Sequence, residues 1–258
     1  MNVNKLALAC GVAMLGLSSI AAAEVSMNIG VTSNYIWRGV TQTGDAAAVS
    51  GGFDWSNASG LYAGTWASNV DFSADVEETV TVQATDSGGD TYTYDYVNTY
   101  KDPSLTAYEL DLYGGYAGEI AGFGYDAGLI YYTYDSDADA NFLELALAGS
   151  WQMLSFGLNY TLSSDVNDTP DAEVIIDGDM YYYAGASFDL PQDYSVGLTV
   201  GQYAFEDDGV NGADLDYTHY QIDISKSAGD FGDVTLSVSD TDMSNDDMKF
   251  FASWSKSF

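Results

Sequence analysis

The 258-residue chain has one cysteine, three prolines and one histidine, and only six Lys and Arg against 39 Asp and Glu. Cys10 is the lone cysteine, so residues 24–258 can form neither a disulfide nor a thiolate metal site. With His219 the only histidine and no HxxxH, GxSxG or Walker-type pattern, hydrolytic and nucleotide chemistry have no candidate residues. The chain therefore reads as a non-enzyme without a cofactor, catalytic residue or metal site. A formal charge of −33 repels phosphates and excludes a nucleic-acid partner, and it equally excludes a polybasic membrane contact.

Long apolar runs are missing too. Lys5, the apolar stretch Leu6–Ile20 and the small residues Ala21-Ala22-Ala23 have the layout of a cleaved secretory signal over 1–23. After it no stretch of 18 apolar residues exists, which excludes a spanning helix.

What the chain does have is aromatics, 14% of residues, and an alternation of period two. Val25, Met27, Ile29, Val31, Tyr35 and Trp37 share one face of the first segment, and Asn28, Gly30, Thr32, Asn34 and Arg38 the other. Successive side chains of a strand point to opposite faces, so such segments are two-faced strands. Twelve are expected, at 25–38, 47–56, 61–72, 104–117, 123–134, 142–151, 154–163, 180–190, 194–203, 217–226, 233–239 and 248–258. Most have the roughly ten residues that a tilted strand needs to cross a bilayer. Connections alternate between short (57–60, 118–122, 152–153, 191–193, 227–232) and long (39–46, 73–103, 135–141, 164–179, 204–216, 240–247).

This is the pattern of an all-β, up-and-down antiparallel transmembrane barrel over 24–258, with ten or fourteen strands as alternatives. In lipid every backbone donor and acceptor needs an internal partner, so the sheet must close. An even strand count puts both termini on the periplasmic side of a Gram-negative outer membrane. Segment 73–103, with Thr79-Val80-Thr81-Val82 and Thr91-Tyr92-Thr93-Tyr94 around Ser87-Gly88-Gly89-Asp90, reads as a long external loop forming a hairpin of its own. Tyr35, Trp37, Trp55, Tyr131, Trp151, Tyr160, Tyr194 and Trp254 fall near strand ends, the interfacial girdle positions. The last strand ends in Trp254 and Phe258, a fit to the signal read by the barrel insertion machinery.

Most acids sit in the long connections, where water accommodates them. Asp135, Asp137 and Asp139 begin like a calcium loop, but Ala140 and Ala146 replace its turn glycine and bidentate Glu, so an EF-hand is excluded. Loose divalent binding that bridges to lipopolysaccharide stays open. The strand acids Asp54, Asp71, Glu109, Asp111, Asp126, Glu144, Asp189, Asp223 and Asp233 fall opposite the apolar face and point into the lumen, joined by the cations Arg38 and Lys249. Carboxylates in low-dielectric walls concentrate cations and repel anions. Tyr113, Tyr132, Tyr134, Phe142, Tyr181, Tyr183 and Phe251 share that face and would narrow or fill the pore, or stack on a sugar-like solute.

The run Val31-Thr32-Ser33-Asn34-Tyr35-Ile36-Trp37-Arg38-Gly39-Val40-Thr41-Gln42 resembles the opening of the TorF family of proteobacterial outer-membrane proteins, also called Gcw_chp. Gly60-Leu61-Tyr62-Ala63-Gly64-Thr65-Trp66-Ala67-Ser68-Asn69-Val70-Asp71-Phe72 is similar to its second block. The resemblance implies a porin barrel and carries over no functional residue. Two functions follow as expectations. One is passive diffusion of small solutes, cations preferred. The other is a structural or surface-interaction barrel with a blocked lumen and acidic external loops facing outer-membrane lipid and lipopolysaccharide.

Overall fold

The computed structural model describes residues 23–258 apart from 74, 86, 102–105, 136–139, 166–174, 207–213 and 245. The proposed signal peptide lies outside the described residues except for Ala23, and so do Asp137 and Asp139.

Twelve antiparallel strands close into one barrel. In chain order they are β1 (Glu24–Thr32), β4 (Ala48–Ser56), β5 (Leu61–Asp71), β8 (Thr106–Ile120), β9 (Phe123–Tyr134), β10 (Phe142–Trp151), β11 (Leu154–Ser164), β12 (Met180–Leu190), β13 (Tyr194–Ala204), β14 (Tyr217–Ser227), β15 (Asp233–Thr241) and β16 (Lys249–Ser257). Two small hairpins stand apart from the wall: β2 (Ile36–Trp37) with β3 (Val40–Thr41), and β6 (Asp75–Thr85) with β7 (Thr91–Lys101). The hairpin expected within 73–103 is thus a separate sheet and adds no strand to the barrel.

Sequential strands pair in register all round, and the ring shuts where β1 meets β16 through Val31↔Trp254 and Ile29↔Lys256. At that seam Met27 and Phe258 exchange two backbone hydrogen bonds, 2.9 and 3.2 Å. The Trp254 indole N–H donates to the Phe231 carbonyl at 2.7 Å, tying the last strand to the turn before β15.

The large apolar side chains lie outside. Ile29, Val49, Phe53, Leu112, Leu147, Phe156, Leu198, Ile222 and Leu236 are all 41–66% exposed. The buried residues that alternate with them include Asp54, Glu109, Asp111, Glu144, His219, Gln221, Asp223 and Ser237. Such an inside-out barrel is stable only if its outer band meets hydrocarbon instead of water.

The first segment departs from the sequence expectation. β1 stops at Thr32, and residues 33–47 turn inward as a strap across the lumen. Tyr35 and Trp37 are therefore not girdle residues: Tyr35 is buried and Trp37 half-buried within the barrel. Their alternation continues that of β1 by coincidence of spacing. The chain turns because Asn34 can close a polar knot: Thr41 donates to its side-chain oxygen at 2.7 Å, and its amide donates to Asp45 at 2.8 Å.

Candidate channel lumen

The strap meets the wall at several levels. The Tyr35 phenol donates to Glu109 Oε1 at 2.8 Å, and its ring packs edge-on against Trp66, 5.5 Å between centroids. Burial, with Glu109 and Asp111 beside it, pushes the Tyr35 hydroxyl well above its usual pKa, so it remains a donor. Trp37 lies between opposite walls, against Tyr132 of β9 and Phe142 of β10 on one side and Tyr203 of β13 on the other, at 6.0–6.3 Å.

Arg38 is the centre of this arrangement. Its two terminal nitrogens donate to the two Glu144 oxygens at 2.8 and 2.6 Å, a bidentate pair with side chains 4% and 1% exposed. The guanidinium lies 4.0 Å from the Trp37 ring centroid and 4.5 Å from that of Tyr181. Burial weakens its hold on the proton, but the adjoining Glu144 carboxylate outweighs this, and its pKa stands above the ordinary arginine value. Glu144 also accepts from Asn159 at 3.0 Å.

Two glycines make the fit possible. A Cβ on Gly39, where φ is +92°, would lie 2.6 Å from His219 Cβ and 2.9 Å from Thr241 Cγ2. A Cβ on Gly201 would lie 2.4 Å from His219 Nε2, where the Tyr181–His219 hydrogen bond of 2.7 Å is made.

The remaining expected lumen acids fall into three groups. Asp54, Asp126 and Asp223 lie toward the end that carries the short turns. Asp54 accepts from Asn28 at 3.3 Å and from Tyr113, Asp126 from Tyr62 at 2.7 Å, and Asp223 from Gln221 at 3.0 Å and Ser237 at 2.6 Å. No cation faces them among the described residues, since Lys226 and Lys256 take the outward phase, against Tyr194 and Phe258. Asp71 ends β5 at the opposite rim and caps Ser73, while Asp189 and Asp233, at the β12 and β15 termini, are exposed. Lys249 does not stand among the lumen acids: it binds Asp45 of the strap at 3.3 Å and Asp246 at 3.5 Å.

Asp111 is different. It is 1% exposed, and neither of its oxygens has a hydrogen-bond donor among the described residues. Its register neighbours are Trp66 and Tyr132, and Glu109 precedes it by two positions on the same face. A buried carboxylate without a donor is costly. Asp111→Asn is expected to stabilise the fold by about 1–2 kcal/mol, read as a higher urea midpoint of unfolding. A lower midpoint would show that the carboxylate is needed as a charge.

Sequence reasoning missed the strap and, with it, the aromatics Trp66, Tyr203 and Tyr217 that receive it. Phase alone could have found them, since Tyr203 and Tyr217 share odd numbering with the inward sets of β13 and β14.

A family model described as "Bacterial protein of unknown function (Gcw_chp)" matches residues 18–255. The chain belongs to the Gcw_chp family. No curated protein matches it. Among solved structures this Gcw_chp protein is similar to a KdgM porin, with a TM-score of 0.51 and 8% identity, covering 90% of this chain and 98% of that one. A KdgM porin in complex with disordered oligogalacturonate matches with a TM-score of 0.49 and 8% identity over 91% and 97% of the two chains. At such identities the first likeness speaks for the Gcw_chp fold alone, a porin-type barrel.

Proposed function

We propose that this protein is an outer-membrane porin through which small solutes diffuse passively, with cations favoured. Both termini then face the periplasm, and the long acidic connections, including β6–β7, face outward. Trp254 and Phe258, at the closing seam, suit a signal for insertion machinery. The porin character agrees with the barrel's likeness to KdgM and with the resemblance to TorF proteins. The cation preference rests on one observation: Asp54, Asp126 and Asp223 lie in the short-turn half of the lumen with no cation opposite them among the described residues. Walls of low dielectric strengthen their field at the axis.

Recording purified protein in a planar bilayer across a salt gradient tests this reading. A cation-selective reversal potential is expected, weakening as salt rises because the Debye length is about 10 Å at 0.1 M. The triple variant Asp54→Asn/Asp126→Asn/Asp223→Asn is expected to cut the cation-to-anion permeability ratio at least roughly twofold. Anion preference, or a ratio unchanged by the triple substitution, would refute the assignment. The strap favours the second reading, a blocked structural barrel. That reading requires no conductance under any condition.

A further inference from the structure

The strap joins β1 to β4, which are neighbours in the wall and could be linked by a tight turn. Residues 33–47 instead span the lumen. The Gln42 carbonyl accepts from the backbone N–H of Asp71 at the end of β5, Tyr35 reaches β8, Arg38 reaches β10, Gly39 rests on β14 and β15, and Asp45 reaches β16.

The means of attachment matters more than the reach. Within the strap, β2 and β3 pair only with each other and only through two residues each, so no ladder fastens them to the barrel. The connections are mainly side chains, and Arg38 is the strap's only cation. Four successive departures to positive φ, at Arg38 (+50°), Gly39 (+92°), Gly44 (+56°) and Asp45 (+63°), shape its tip and its return. Two of these are not glycine, a conformation that persists only where surrounding contacts hold it. A segment strained along its own backbone and held to the wall by the buried Arg38–Glu144 pair, the more exposed Asp45–Lys249 pair, the Tyr35 phenol and a backbone bond near each end has two states available: docked, or released with its strain relieved.

We propose that the strap is the gate of this channel and that the Arg38–Glu144 pair is its latch, an inference that rests on the porin reading above. Docked, Trp37 bridges the lumen between Tyr132 and Tyr203. Released, it leaves the extracellular half of the lumen to the wall acids Glu109, Asp111 and Glu144, which continue the cation path begun by Asp54, Asp126 and Asp223. Arg38 thus determines specificity as well as opening, because its departure removes the one guanidinium from that half.

The test uses a reporter cysteine, clean because residues 24–258 contain none. Ser68 faces the lumen, is 3% exposed, and lies between Trp66 and Val70, both packed against Tyr35 of the strap. Ser68→Cys is introduced into the wild-type sequence, into Arg38→Gln, into Arg38→Gln/Glu144→Gln and into Gly39→Ala. The double variant guards against misfolding, because it leaves no unpaired carboxylate at 144. Each protein is folded into vesicles, reacted with a membrane-impermeant maleimide, and recorded in planar bilayers. Labelling at least about tenfold faster in Arg38→Gln than in the parent is expected, since removing one side of a buried pair takes that much or more from the docking equilibrium, with the double variant, which strands no charge, in between. A parallel rise in mean conductance is expected, and Gly39→Ala should shift both in the same direction. Equal labelling rates in all four backgrounds would overturn the gate, whatever the conductance. Faster labelling with no current in any background would instead overturn the porin reading beneath it.

Discussion

Arg38→Ala is expected to destabilise the folded barrel by about 3–5 kcal/mol, the range for breaking one side of a buried ion pair. The size follows from what is left behind. Glu144 is 1% exposed and, among the described residues, would keep Asn159 at 3.0 Å and the longer Tyr132 contact at 3.4 Å. Two charge-assisted bonds disappear, and so do the stacking contacts of the guanidinium on Trp37 and Tyr181. Neutralising both partners, as in Arg38→Gln/Glu144→Gln, removes the stranded charge and is expected to recover most of the loss. Urea titration of the protein folded in vesicles measures the difference. A single substitution as mild as the double one would mean that the pair is solvated and latches nothing. High salt gives a second check: screening acts weakly on a pair this buried, so the ranking of the variants should survive 1 M NaCl.

The second large effect belongs to the opposite face of the wall. Ile222→Arg is expected to cost about 2–4 kcal/mol and to abolish efficient folding into vesicles, since a cation near the bilayer midplane of a barrel has no counter-charge and little water. Ile222 is mid-strand in β14, 50% exposed, and its register neighbours are Leu198 and Val238, all on the outer band. Ser225→Arg is the control. It lies three positions along the same strand on the lumen phase, two residues from Asp223, and is expected to fold with wild-type yield. Folding yield by heat-modifiable mobility separates the two. Equal yields would mean that β14 does not present Ile222 to lipid.

Most of the fold could be read from the residues themselves, because the constraint behind it is local and repetitive. A strand that must show hydrocarbon on one side and water on the other writes period-two alternation into every segment, and closure then follows from hydrogen-bond satisfaction. This placed Asp54, Glu109, Asp111, Glu144 and Asp223 on the inner face, where the structure has them. It also kept β6–β7 out of the wall, where Glu77 and Glu78 would have been misplaced. The strap was illegible for the same reason. Val31, Tyr35 and Trp37 keep the alternation going past Thr32, and nothing local says that the chain has left the wall. The decision is tertiary: Tyr35 meets Glu109 from 74 positions away, and Arg38 meets Glu144 from 106. The local trace of the change was polar, in Ser33-Asn34 followed by Thr41, Thr43 and Gly44-Asp45, a cluster suited to turning and not to crossing lipid. Lys249 was misread in a related way. Its phase is inward, but at the first position of β16 a long side chain reaches the rim acids Asp45 and Asp246 instead of the axis.

The most direct measurement of the central claim is a spin-label scan along β15 from Val234 to Ser239 in protein folded into vesicles, reading collision rates with oxygen, which partitions into lipid, and with a water-soluble nickel chelate. Labels at 234, 236 and 238 should collide freely with oxygen and hardly at all with the chelate, while labels at 235, 237 and 239 should be shielded from oxygen. A scan in which both sets report the same surroundings, or in which 236 is shielded from both reagents as in the core of a soluble sandwich, would contradict a barrel that turns its apolar face to lipid.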